Sequence, residues 1–135
     1  MTTIRTMLAA LSISLATGPA LALEPLSQEA YVNDRLKQAR VADLVRRGCG
    51  SIDARLIRAF NEARKLKRYA LDKGYTEEQI EAFLDSDADR DRIYRDADRY
   101  MRENGVENGN EESFCRLGRN EIARQTVAGS LLSAR

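Results

Sequence analysis

The sequence predicts an all-α fold, a small orthogonal bundle of four or five helices closed by one disulfide. Three observations lead there. Beyond Glu24 the apolar residues recur at helical spacing, and no stretch alternates apolar with polar for long enough to make a strand. Pro19 and Pro25 are the only prolines, so no later helix loses a backbone donor to proline. Cys49 and Cys115 are the only cysteines, and an even count favours pairing.

The first residues set the compartment in which that pairing would occur. Arg5 is the sole charge before an apolar run from Met7 to Leu15, and Gly18-Pro19 then breaks any helix. Ala20-Leu21-Ala22 supplies small residues where a signal peptidase needs them. Residues 1–22 therefore read as a signal peptide cleaved between Ala22 and Leu23, and 23–135 as one helical domain. The apolar run is about half of a membrane span, and no later window replaces it, so the mature chain is expected to have no transmembrane segment. No Cys follows the cleavage site, which argues against lipoprotein processing. The expected location is periplasmic or secreted, an oxidising setting in which Cys49 and Cys115 form a bridge. Free thiols or an intermolecular bridge are the alternative.

The elements follow in order. The first helix is expected over about Gln28 to Arg47, with Ser27 as N-cap. Its apolar positions (Val32, Leu36, Ala39, Ala42, Val45, Cys49) drift around the axis and make a broad stripe. Gly48 and Gly50 bracket Cys49 and end it, and Ser51 caps the next helix. That second helix, Ile52 to Lys73, has the clearest pattern in the chain. Ile52, Leu56, Ala59, Phe60, Ala63, Leu66 and Ala70 fall on one stripe, so this helix is expected at the centre of the bundle. Gly74 sits where a helix C-cap glycine belongs. Thr76-Glu77-Glu78-Gln79 is a capping box opening a short helix with Ile80, Phe83 and Leu84. Ser86 or Asp87 starts the next, Asp87 to Glu103, with Ile93, Ala97, Tyr100 and Met101 inward. Gly105 ends it, and Val106 to Asn110 reads as a loop. A last helix is expected over Glu111 to Leu131, where Cys115, Gly118, Ile122, Thr126 and Gly129 share one side. Its small residues invite a close backbone approach.

Composition removes whole chemistries. There is no His and no Trp, so imidazole-based triads, His-ligated zinc and haem held through His are excluded. Bridged cysteines would leave no thiolate nucleophile. The chain as a whole is nearly neutral, with 22 basic and 21 acidic residues. The neutrality hides a segregation: residues 35–73 hold 12 Lys or Arg against four acids, and residues 76–112 hold 13 acids against five Arg. Mutual attraction of the two halves is the expected reading, and a pair of docking surfaces the sharper one.

Four constellations invite a function. Asp85-Ser86-Asp87-Ala88-Asp89 resembles the start of a calcium loop, but the positions that need Gly and a bidentate Glu hold Arg90 and Asp96. Capping and first-turn roles explain these acids better, and no metal or other cofactor is expected. Glu77, Glu81 and Asp85 are spaced to share a helix face, as paired carboxylates do in glycoside cleavage. Five Tyr and three Phe leave few aromatics to line a sugar groove once a core is built. The basic face of the second helix (Arg55, Arg58, Arg64, Lys65, Arg68) suits anionic lipid or cell-wall polymer, with a solvated face as the plainer explanation. Nucleic acid is not an expected partner outside the cytoplasm, since a neutral chain offers no broad electrostatic footprint. Finally, Tyr69, Tyr75, Tyr94 and Tyr100 are candidates for a contact surface, although Tyr100 fits the core and Tyr75 a hydrophobic staple.

The segments Cys49-Gly50-Ser51-Ile52-Asp53-Ala54-Arg55, Gly74-Tyr75-Thr76-Glu77-Glu78-Gln79-Ile80 and Phe114-Cys115-Arg116-Leu117-Gly118-Arg119-Asn120-Glu121-Ile122 form a set. Together they resemble a family of small secreted proteins of Gram-negative bacteria, a domain of unknown function. The resemblance spans nearly all of the mature chain and implies a periplasmic setting and a helical fold. It transfers no activity and names no catalytic residue. The expected function is that of an exported, non-catalytic binding or accessory protein, with another envelope protein as the partner class. A carboxylate-dependent enzyme on cell-wall glycans and a peripheral protein on anionic lipid are the alternatives. The charge pattern suits a monomer and a head-to-tail assembly alike.

Overall fold

A computed structural model describes residues 22–135, so the leader and its apolar run lie outside the described residues, apart from Ala22 beside the expected cleavage point. The all-α bundle is present: six helices, one of them a single turn, and two three-residue strands make up the described chain. A 3-10 turn over Leu26–Gln28 leads into helix α1, Ala30–Gly48. Its N-cap is Glu29 rather than Ser27, because the Glu29 carboxylate accepts the Val32 N–H at 2.7 Å. Burial of Leu26 commits the preceding residues to the 3-10 turn, so the helix starts later than the spacing suggested.

The largest correction follows Cys49. Ile52–Ala54 is not the first turn of a helix but strand β1, paired antiparallel with β2, Leu132–Ala134. Ile52 faces Ala134, Asp53 faces Ser133 and Ala54 faces Leu132. The ladder is prolonged at both ends by Arg55 N–H to the Leu131 carbonyl (2.8 Å) and Arg135 N–H to the Ser51 carbonyl (3.0 Å). Three residues are too few to register as an alternation, and the partner strand lies at the far end of the chain. Helix α2 therefore runs Leu56–Lys73, ending on Gly74 in the left-handed region, and Ser51 caps nothing.

Helix α3, Glu77–Asp85, carries the predicted capping box. Thr76 Oγ1 accepts the Gln79 N–H (3.1 Å) and Gln79 Oε1 accepts the Thr76 N–H (2.8 Å). Tyr75 and Ile80, both buried in the same cluster, form the staple, and the Tyr75 hydroxyl donates to the Glu24 carbonyl at 2.7 Å. Helix α4, Asp87–Glu103, is capped by Ser86, and α5, Glu111–Ala123, by Asn110. The predicted last helix does not reach Leu131. It breaks at Gln125, which takes φ +53°, and Thr126 caps a separate turn, α6, Val127–Ser130. Gly129 makes this break possible, since any Cβ there would overlap the Glu121 backbone. Gly118 likewise sits where a Cβ would overlap the Ile52 and Val45 side chains, the close approach expected of this face.

The core has two parts. One gathers Val41, Val45, Cys49, Met101, Cys115 and Leu132 with their neighbours around the disulfide, whose sulfurs are 2.04 Å apart. The other gathers Leu26, Val32, Ala70, Tyr75, Phe83 and Ile93. Helix α1 contributes to both and packs on α2, α4, α5 and α6, so α1, not α2, is central.

The oppositely charged halves meet mainly without ion pairs. Among the described residues, Lys67–Glu77 (2.9 Å) is the one ion pair joining them. Most of the other pairs run three or four residues along one helix, as Asp43 is held by Arg46 and Arg47, while Asp53 pairs with Arg135 and Glu112 with Arg119. Where α1 packs on α4, Arg40 instead lies 4.0 Å over the Tyr94 ring.

Candidate contact surface

Helix α2 leaves apolar side chains in solvent. Its stripe is split lengthwise: Ala70 is buried, Ala59 is half-buried against the core around the disulfide and Leu66 against the other cluster, while Ala63 is exposed. Two large members, Leu56 at 74% and Phe60 at 64%, are exposed, and Ile57 beside them, outside the stripe, is 82% exposed. Below Phe60 an apolar groove of about 310 Å³ opens between α1, α2 and α3, walled by Leu36, Ala63, Leu66, Phe83 and Leu84, with Arg64 and Lys67 among its lining. A second groove of about 330 Å³ lies between α1, α3 and α4, with Arg40, Asp43, Arg90 and Tyr94 as its polar lining.

The cations of α2 stand on several sides of the same helix. Arg55, Arg58, Arg64, Lys65 and Arg68 are all exposed; Lys65 pairs with Glu62 (2.9 Å), and the Arg64 guanidinium lies 5.8 Å from the Phe60 ring centre. The chain belongs to a family of unknown function, DUF5333. The family model matches residues 24–133, which include the whole described helical fold except its last two residues and the two that precede it. No curated protein and no solved structure matches the chain.

The other sequence candidates are dispersed. Glu77, Glu81 and Asp85 are exposed on α3, line neither groove, and Glu77 is held by Lys67. Of the acids of the calcium-like stretch, Asp85 ends α3, while Asp87 and Asp89 lie in the first turn of α4, Asp87 bound by Arg90 and Asp89 by Arg92 at 3.0 Å. The four tyrosines go to different places. Tyr69 stacks on Tyr31 with ring centres 4.4 Å apart, Tyr75 is in the core, Tyr94 lies under Arg40, and Tyr100 points to Glu121.

Two buried carboxylates were not singled out from the sequence. Glu29, only 5% exposed, accepts from Val32 N–H, the Tyr69 hydroxyl (2.9 Å) and Lys73 Nζ (2.6 Å). Burial opposes its charge, but the bonds from Lys73, Val32 and Tyr69 outweigh that and hold the carboxyl below its ordinary range. Glu121 is fully buried and accepts from the Tyr100 hydroxyl (2.5 Å) and from Thr126. Burial, reinforced by the neighbouring Glu121, pushes the Tyr100 phenol up to about 12. Both carboxylates tie distant segments together: Glu29 joins the start of α1 to the end of α2, and Glu121 joins α5 to α4 and to the cap of α6. The available signal for Glu121 was an acid beside Leu117, Gly118 and Ile122 on an otherwise inward face.

Proposed function

We propose that this chain acts after export, cleaved between Ala22 and Leu23, as a non-catalytic binding or accessory protein whose contact face is the outer edge of α2. The observation that carries the reading is the exposure of Leu56, Ile57 and Phe60 on two consecutive turns of a helix whose other edge is packed. Water-facing apolar side chains that adjoin one another mark contact sites more often than scattered ones do. The paired cysteines and the leader pattern support an oxidising compartment. No helix among the described residues is long and apolar enough to cross a membrane. The glycan-cleaving alternative has less support, because its three carboxylates stand on open surface away from both grooves.

A photoactivatable residue placed at Phe60, and separately at exposed Asp91 on α4, tests the reading in living cells of the host. Covalent adducts from position 60 and none from position 91 are expected, whether the captured molecule is protein or lipid. Equal capture from both positions, or none from either, overturns the assignment of α2 as the contact face.

A further inference from the structure

We infer that the surface met by α2 is an anionic lipid bilayer, entered by Leu56, Ile57 and Phe60. The inference rests on α2 being the contact face and adds what that face contacts. At 100° per residue, Leu56, Phe60, Ala63 and Lys67 fall along one line of the helix, and Ile57, Arg64 and Arg68 along the next. The large apolar members occupy the first two turns, and the cations follow on the same two lines. Arg55 and Arg58 stand at the same end of the helix but on its other sides. Arg55, Arg58, Arg64 and Arg68 take part in no ion pair among the described residues, so their guanidinium groups are open to an external anion.

This is the charge and shape complement of a headgroup layer. A few large side chains pass below the phosphates while arginines on the same helix bind them, often in bidentate fashion. A second protein copy fits the patch less well. A stable interface covers about 800 Å² on each partner, and even a fully buried aromatic side chain supplies only about 150–250 Å². Three large side chains fall short of that area, whereas for a bilayer they suffice when cations assist. Each buried large side chain raises partitioning about tenfold or more, and each cation at an anionic surface adds about fivefold.

The experiment floats the processed protein, purified from cells, with vesicles of phosphatidylcholine alone or mixed equally with phosphatidylglycerol. Flotation with the anionic vesicles only, weakened by salt, is expected. Phe60→Ser combined with Ile57→Ser should lower partitioning about a hundredfold, and Arg64→Gln with Arg68→Gln about twenty-five-fold. Asp91→Asn on α4 should leave it at or above the starting level. All these positions except Ile57 and Phe60 are polar surface sites, and circular dichroism of each variant checks that the helices are intact. No flotation with anionic vesicles overturns the inference, as does flotation that survives both the serine substitutions and high salt. Absent flotation together with protein adducts from position 60 overturns the lipid assignment and leaves the contact face standing. Absent flotation with no adduct overturns both. A self-association abolished by Phe60→Ser, without flotation, means that a second copy covers the patch and likewise overturns it.

Discussion

Helices α1 and α2 make an instructive contrast. The apolar positions of α1 wander around its axis, yet Val41 and Val45 are completely buried. The apolar positions of α2 are far more regular, yet Ala70 is its only buried residue. The difference lies in the neighbours. Helix α1 is covered on several sides by α4, α5, α6 and β1, so a broad stripe is what its position requires. Helix α2 packs chiefly on α1 and α3, and the contacts it makes cover one edge of its stripe and leave the other in water. A periodic pattern reports which side of a helix is apolar. It does not report whether another element arrives to cover that side.

The contrast can be broken most forcefully at the disulfide, which ties the end of α1 to α5 across a separation of 66 residues. Replacing both Cys49 and Cys115 by Ala should cost about 4 kcal/mol and lower Tm by about 15 °C or more, measured by calorimetry. A shift of only a degree or two would mean that the α1 core is held without the bridge.

Next in size is Glu29, which pins the start of α1 to the end of α2. Glu29→Gln should cost about 1–2 kcal/mol at neutral pH. The folded carboxyl titrates below its ordinary value of 4.5, so its contribution is present above that pH and is lost as pH falls through the lower folded value. Denaturant midpoints measured between neutral pH and pH 3 should therefore fall more steeply for the parent than for the Gln variant. Parallel curves would contradict the assigned role.

The smallest effect sharpens the contrast itself. Phe60→Ser should change stability by no more than about 0.5 kcal/mol, whereas Val45→Ala should cost about 2 kcal/mol. Equal losses in urea unfolding would show that Phe60 is packed after all.

Much of the chain was legible because its signals are local. Thr76 with Gln79, Ser86 before Asp87 and Gly74 after Lys73 each need only the next few residues to do their work. The two cysteines could be paired by counting. The β1–β2 ladder was not legible, since Ile52 to Ala54 carries too short a pattern and its partner comes from the chain's other end. The break at Gln125 was hidden for a related reason: Thr126 and Gly129 fit a helical face as readily as they fit a cap and a close approach. The uncovered edge of α2 was equally hidden, because exposure is a property of what lies opposite.

Read alone, then, the residues specify a helical chain, the caps of α3 and α4, its cysteine pair and the apolar sides of its helices. These follow from propensity, hydrogen-bond capping and periodicity, which act over one or two turns. Assembly alone specifies that α1 is the centre, that Ile52 joins a ladder, that Glu29 and Glu121 are buried with their donors, and that Leu56, Ile57 and Phe60 face water. These depend on which distant segments come together, and burial energy is set by contact with them rather than by order along the chain.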